Sequence, residues 1–309
     1  DLVPEELRLD GKVVSIGCGD AFSAFLLEDG RLFTTGYNRW GQLGTGDVRD
    51  RQVPTQVALR SRIVQIACGG MHMAAITDAG ELYMWGCGVS GQLGFDSSTT
   101  CSSPQRIKLP GAGKVTPWLV ACGAAHTLVV SAQGQLFAFG ANNVGQLGIE
   151  RSDDTMNVRK PSPVLRLAEH TTVEINCGSL HSLARTSTGD VFAFGKGAGY
   201  RLGTGSVADV DQPVKVQLGA EKIVQMGCGE SVSCFLTGTL LTILDHAFCC
   251  VCSSHAIVVR VHFAAEGQLY MCGNTPAGER PTPSADDSFA LERLRHVRRV
   301  VRRVACGKG

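Results

Sequence analysis

The segment GQLFAFGANNVGQLG at residues 134–148 recurs with small changes at 30–44, 80–94 and 189–203. Each copy has a glycine, a short apolar stretch typical of a strand, and a glycine-rich loop. A glycine at that first place supplies the positive φ that a tight hairpin turn needs. Self-similarity at such regular intervals predicts a repeat architecture.

A second signal, the dipeptide Cys-Gly, marks the same repeat. Its cysteines stand 50, 54, 55, 51 and 78 residues apart, at Cys18, Cys68, Cys122, Cys177, Cys228 and Cys306. A strand-like stretch precedes the dipeptide, and in the first four units a second strand-like stretch follows it and the quoted segment adds a third strand. A fourth strand is predicted where a proline leads a short apolar stretch, at an edge where its missing N–H is harmless, starting at Pro54, Pro104, Pro163 and Pro213.

Four strands in each period predict an all-β fold. One four-stranded sheet can bury both its faces only when it packs radially against copies of itself. We therefore expect a β-propeller of four-stranded blades that occupies residues 1–309 as a single region. About five blades are complete, with partial ones at both ends. The expected repeats are 13–60, 61–110, 115–167, 173–218 and 222–283, with a sixth beginning at 299–309.

The fifth repeat is interrupted by 27 residues, 238–264. Joining Thr237 to Ala265 restores the usual spacing. We interpret the extra segment as a translated intron, with a genuine surface insertion between strands as the main alternative. A membrane span is a third alternative, although charges such as Asp245 and Arg260 interrupt its apolar run.

Three features together resemble the regulator of chromosome condensation family. They are the Cys-Gly dipeptide, a histidine four residues after its cysteine (His72, His126 and His181), and the string GQLG at Gly41–Gly44, Gly91–Gly94 and Gly145–Gly148. The resemblance implies a seven-bladed ring, of which this chain is expected to be a fragment. It also implies a binding function, and some members of the family are exchange factors for the small GTPase Ran.

Composition excludes some functional classes. The net charge of +1 and the pI near 7.6 give no bulk electrostatic reason to expect a nucleic-acid, chromatin or membrane partner. The 13 cysteines are spread through a chain too large to need disulfides, so we expect them to be reduced and the protein to be intracellular.

No group of residues in the sequence predicts an enzyme. The string Gly86–Gly91 matches a dinucleotide-binding fingerprint, but the helix that such a site requires does not follow. The cysteines and histidines within 238–264 are too crowded for a usual zinc site. We therefore expect no catalytic residues, no metal, no cofactor and no small-molecule substrate.

Two sets of residues are candidates for partner binding. One is a basic cluster comprising Arg298, Arg299, Arg302 and Arg303, which could hold an acidic partner or could be a solvated strand face. The other is the set His72, His126 and His181. Because these histidines occupy one position in successive blades, we favour a hydrogen bond within each histidine's own blade as their role, and partner contact is the alternative.

The leading functional prediction is a protein-interaction propeller that holds one or more protein partners. Nucleotide exchange on a Ran-type small GTPase is the second hypothesis, although the sequence contains no convincing wedge to open a nucleotide site. A third is an accessory domain of a larger ubiquitin ligase or kinase.

Overall fold

The computed structural model describes residues 9–217, 223–237, 269–273 and 292–293. In this part of the chain there are five antiparallel sheets of four strands each. The prediction of an all-β propeller with four-stranded blades is confirmed. The basic cluster, the leading residues 1–8, residues 238–264 and the start of a sixth repeat at 299–309 lie outside the described residues.

The strands follow one another in space as they do in sequence. Blade 1 contains β1 (Val13–Cys18), β2 (Phe22–Leu27), β3 (Leu32–Gly36) and β4 (Arg51–Gln56). Blade 2 contains β5 (Ile63–Cys68), β6 (His72–Thr77), β7 (Leu82–Gly86) and β8 (Cys101–Ile107). Blade 3 contains β9 (Pro117–Cys122), β10 (His126–Ser131), β11 (Leu136–Ala141) and β12 (Asn157–Pro163).

Blades 4 and 5 repeat this order. Blade 4 contains β13 (Thr172–Cys177), β14 (His181–Thr186), β15 (Val191–Gly195) and β16 (Val210–Lys215). Blade 5 contains β17 (Ile223–Cys228), β18 (Val232–Thr237), β19 (Leu269–Gly273) and β20 (Glu292–Arg293). Three short 3₁₀ helices lie in the connections, at Asp153–Thr155, Leu165–Leu167 and Ala198–Tyr200.

The first strand of each blade is the innermost one. The strands β1, β5, β9, β13 and β17 contact one another in sequence, so they line a common axis, and the fourth strands lie at the periphery. Each core cluster joins two neighbouring blades: Met84 of blade 2, for example, packs with Phe139 of blade 3. We call each such packed interface a seam, and the apolar residues of the seams hold the blades together.

In blade 5 the strand pairing continues across residues 238–264. Leu236 of β18 pairs with Leu269 of β19, in the same way that Ile76 pairs with Leu82 in blade 2. The hairpin of blade 5 therefore has the register of the other blades on both sides of the interrupting segment.

The predicted start of the fourth strand was wrong. In blade 1 this strand begins at Arg51, three residues before Pro54, and in blade 3 it ends at Pro163 rather than beginning there. The pairing of Phe137 with Pro163 matches that of Phe33 with Gln56, so Pro161 is the equivalent of Pro54. The fourth strand is exposed along one edge, so its sequence has only a weak hydrophobic pattern. That pattern is not enough to predict where the strand begins and ends.

Candidate functional site

The propeller presents two surfaces of different construction. The loop face is formed by the Cys-Gly turns between first and second strands and by the loops 37–50, 87–100, 142–156 and 196–209 between third and fourth strands. The hairpin face, at the other end, is formed by the turns between second and third strands and by the linkers 57–62, 108–116 and 164–171 between blades.

The GQLG strings form the floor of the loop face. Their leucines, and Leu202 in blade 4, are fully buried: Leu43, Leu93, Leu147 and Leu202. Each glutamine side chain turns back to accept a backbone N–H of its own loop, as Gln42 Oε1 does from Trp40 (2.9 Å) and Gln92 Oε1 from Ser90 (2.9 Å). The string therefore holds the loops in place, as its recurrence in the sequence suggests.

The three predicted histidines lie inside the seams. The Nε2 atom of His72 is 3.0 Å from the hydroxyl of Thr127, which belongs to the next blade. The same 3.0 Å contact joins His126 to Ser182 and His181 to Ser233. The prediction of a bond within the histidine's own blade was wrong, because the imidazole leaves its sheet on the side that faces the neighbouring blade.

Each hydroxyl continues the contact to a backbone carbonyl of the loop face. Thr127 Oγ1 donates to the carbonyl of Gln92 (2.9 Å), and Ser182 Oγ donates to that of Gln146 (2.7 Å). Since the hydroxyl proton is used in this bond, the hydroxyl accepts from the imidazole, and Nε2 carries the proton. The Nδ1 atoms of the three histidines are buried without a hydrogen-bond partner.

Burial keeps these imidazoles neutral. It lowers the pKa of His72, His126 and His181 from 6.5 to about 3, because a side chain removed from solvent disfavours its charged form. All three side chains are fully inaccessible to solvent. They cannot contact a partner in this structure, so their assignment as partner-binding residues is corrected to a structural role.

The first seam has no histidine. Phe22 takes its place, and Met73 of blade 2 takes the place of the hydroxyl residue; both are buried. The carbonyl of Gln42, which would otherwise lack its donor, accepts from Trp85 Nε1 (3.0 Å). This seam therefore replaces the entire polar set with an apolar one and satisfies the carbonyl from another direction.

Above this uniform floor, the exposed positions of the loop face differ between blades. The loop tips carry Arg39, Val89, Asn143 and Ala198 at one equivalent position. The residue after Cys-Gly also varies, from exposed Asp20 and Glu230 in blades 1 and 5 to partly buried Ala124 and Ser179 and buried Gly70. Sequence comparison within the chain could have found this variation, because the positions align with the repeat.

Two carboxylates of this surface interact electrostatically. Partial burial raises the pKa of Asp20, and the nearby carboxylate of Glu230 raises it further. Backbone hydrogen bonds join these turns from one blade to the next. The N–H of Asp20 donates to the backbone carbonyl of Gly70 (3.1 Å), and the N–H of Ser179 donates to the backbone carbonyl of Glu230 (3.2 Å). The exposed side chains therefore stand on a rigid inner rim.

The loop of blade 4 departs from the repeat at Tyr200. Gly145, at the equivalent position, has φ 84°, and a Cβ there would lie 2.3 Å from Asp211 Cα of the next blade's outer strand. Tyr200 keeps the positive φ, at 59°, and its side chain is exposed. A tyrosine in the left-handed region of backbone conformation is strained. The loop of blade 4 thus carries an exposed aromatic ring at a position where the other loops have glycine.

Two features of the described residues bear on metal and small-molecule binding. No three of their His, Cys, Asp or Glu side chains lie close enough to hold a metal ion. An open cleft of about 540 Å³ is lined by residues that include Asp96, Asp154, Met156 and Lys160, and Lys160 there pairs with Asp96 at 2.7 Å. Within the same described ranges there is no helix with the length and apolarity needed to cross a membrane.

Comparison with known proteins agrees with this architecture. A family model described as "RCC1-like domain" matches residues 1–309. The chain is 38% identical to human Protein RCC2 over 111 residues, which is 36% of this chain and 21% of RCC2. It is 43% identical to human "Probable E3 ubiquitin-protein ligase HERC3" over 229 residues, 74% of this chain and 22% of HERC3.

Among solved structures, yeast RCC1 (Prp20) bound to Kap60 is similar, with a TM-score of 0.64 and 25% identity. The similarity covers 73% of this chain and 54% of the yeast protein. The chain thus spans about a fifth of the two curated relatives and about half of the yeast structure.

Proposed function

Because the chain belongs to the RCC1-like domain family, we propose that it is a protein-interaction propeller that holds its partner on the loop face. The observation that carries the proposal is the contrast within the repeat. Buried positions such as those of Leu43 and His72 keep their residue type in most blades, whereas exposed positions such as those of Arg39 and Asp20 do not. A scaffold with varied side chains at its rim is suited to recognising an asymmetric surface.

Similarity to a partner-bound propeller supports this function. The yeast RCC1 structure contains Kap60, a protein partner. The exposed loop-face residues include apolar Val89 and Met71 beside charged Arg39 and Glu230, the mixture found at protein interfaces. An intracellular location is part of the same proposal and stays a prediction from the cysteine content.

The experiment is quantitative affinity capture from cell extract with two variants of the full chain. One changes the loop face (Arg39→Glu with Val89→Ser), and the control changes the exposed outer strand (Val53→Ser). We expect the loop-face variant to lose its main captured protein by about tenfold or more, since central interface residues dominate binding. Equal capture by the two variants would contradict the proposal.

Nucleotide exchange is a finer function within the same family. The four described loops between third and fourth strands have similar lengths, so none of them projects as a wedge. We therefore expect no acceleration of nucleotide release from Ran by the full chain. A release rate that rises with the concentration of this protein would replace simple binding with exchange.

A protein-interaction propeller can also be an accessory domain of a larger enzyme. HERC3 is described as a ubiquitin-protein ligase, and the aligned region is 22% of it. In a longer protein of that kind, the propeller would select the partner while other domains perform the chemistry. Sequencing the full-length transcript tests this directly, because a flanking catalytic domain is either encoded or not.

A further inference from the structure

A row of exposed apolar side chains crosses the innermost strands at the hairpin face. It consists of Val14, Val64, Trp118 and Val173, each the second residue of its first strand. The pairing register with the second strand skips this residue in every case, as between Val13 and Ser15. A skipped residue bulges from the ladder, which is why its apolar side chain stays outside the core.

The row is continuous across neighbouring blades. Gln65 Oε1 accepts the backbone N–H of Val120 at 3.3 Å, which ties β5 to β9 beside Val64 and Trp118. In the same manner Glu174 Oε1 accepts the N–H of Met226 at 3.0 Å, next to Val173. The strands β1 and β5, and β9 and β13, are also in contact, so the bulged residues lie on neighbouring strands of one surface. We call these four residues the inner row.

Trp118 is the anchor of the inner row. Its side chain is 65% exposed, whereas Trp85 is fully buried and hydrogen-bonded. Large exposed aromatic residues next to other apolar side chains mark binding sites on soluble proteins. Tryptophan is also among the residues that contribute most energy to protein interfaces.

The surroundings of the inner row are cationic. The linkers that lead into β5 and β9 carry the exposed residues Arg60, Arg62 and Lys114. Several carboxylates of this face are already neutralised by ion pairs: Glu28 with Lys12, Asp29 with Arg31, Glu174 with Arg185 and Asp190 with Lys215. Arg60 and Lys114 form no ion pair with another described residue. Positive charge is therefore left available for a partner.

The repeat phase aligns the basic cluster predicted from the sequence with the linker before β5 and the start of that strand. Counted back from Cys306, Arg302 takes the position of Val64, and Arg298 takes that of Arg60. Both lie outside the described residues, and this correspondence comes from the repeat phase alone.

We propose that the inner row and its cationic linkers bind an acidic segment of a protein partner that carries an aliphatic or aromatic anchor. The anchor packs on Trp118 and its valine neighbours, and the acidic residues pair with Arg60, Arg62 and Lys114. This surface lies at the opposite end of the blades from the loop face, so the proposal goes beyond the proposed function and does not depend on it.

The test measures binding of a fluorescently labelled Glu-rich peptide with leucine anchors to the full chain by fluorescence polarisation. Two matched peptides replace all glutamates by lysines or all leucines by serines. We expect the Glu-Leu peptide to bind at least about tenfold more tightly than either. Equal binding of the Lys-Leu peptide, or no detectable binding of the Glu-Leu peptide, would overturn the proposal.

Variants assign the binding to this surface. Trp118→Ser, and separately Arg60→Glu with Lys114→Glu, should each weaken binding of the Glu-Leu peptide about tenfold. Val53→Ser, which removes a valine that is 69% exposed on the outer strand β4, should leave it unchanged. The loop-face variant should also bind the peptide normally, which separates failure of this proposal from failure of the proposed function. Unaltered binding by Trp118→Ser would reject the inner row as the site.

Discussion

The seam between blades 1 and 2 is apolar at the place where the next three seams are hydrogen-bonded. Phe22, Met73 and Trp85 fill the first seam, whereas a histidine, a hydroxyl and a carbonyl join in series in each of the others. Similar backbones accept both solutions, but only as matched sets. A buried polar group needs its partner, so replacing one member of a set costs more than replacing all of them.

Low pH should give the largest difference in stability between the histidine-containing seams and the apolar first seam. The folded-state pKa of the three histidines is about 3, below the value of 6.5 for an exposed histidine. As the pH falls, the unfolded chain therefore binds protons first. The free energy of unfolding that the buried neutral histidines contribute is fully present above about pH 6.5 and decreases as the pH falls towards about 3. Near pH 5 the loss is about 2 kcal/mol per histidine, or about 6 kcal/mol for the three histidines together.

Urea unfolding followed by fluorescence at neutral pH and near pH 5 measures this loss. The matched control is His126→Phe with Ser182→Met and Phe194→Trp, which copies the set Phe22, Met73 and Trp85 into the third seam. It should reduce the acid sensitivity by about a third, because one of three similar groups is gone. An unchanged pH dependence would show that other groups cause it.

Phe22→His should destabilise the first seam by about 2–3 kcal/mol. The imidazole would be buried opposite Met73, which cannot accept its proton. Adding Met73→Thr supplies the hydroxyl and should recover about 1–2 kcal/mol of that loss. Thermal and urea unfolding of the two single variants and the double variant give the coupling, and strictly additive effects would contradict the matched-set interpretation.

Ser182→Ala should cost about 2 kcal/mol in the third seam. It leaves both His126 Nε2 and the carbonyl of Gln146 without the hydroxyl that joins them. Met73→Leu in the first seam, which conserves volume and removes no hydrogen bond, serves as the comparison. In hydrogen exchange, Ser182→Ala should increase exchange of amides in β10 and β14, and protection equal to that of the native chain would argue against the hydroxyl's role.

Tyr200→Gly should have the smallest effect, a stabilisation between zero and about 1 kcal/mol. Glycine relieves the left-handed strain at φ 59° but gains freedom in the unfolded chain, and these effects partly cancel. Gly145→Ala, at the equivalent place, should instead destabilise clearly because of the contact with Asp211. Destabilisation by Tyr200→Gly would mean that the tyrosine side chain contributes packing that outweighs its strain.

Local sequence signals were sufficient to predict the repeat, the four strands of each blade and the propeller class. Those features depend on local signals, namely alternating apolar residues, glycines with positive φ and the spacing of Cys-Gly, and each signal acts within a few residues of the chain. Buried residues of the loop-face floor and of the seams, such as Leu43 and His72, were also visible because they recur.

Packing between the blades was needed to show what the histidines contact, that Pro161 rather than Pro163 is the equivalent of Pro54, and that Trp118 stands exposed beside other bulged residues. His72 and Thr127 lie 55 residues apart, and their contact depends on which side of one blade faces the next. The sequence period identifies equivalent positions but not the partner across a seam, because packing between blades brings together residues that no local signal connects.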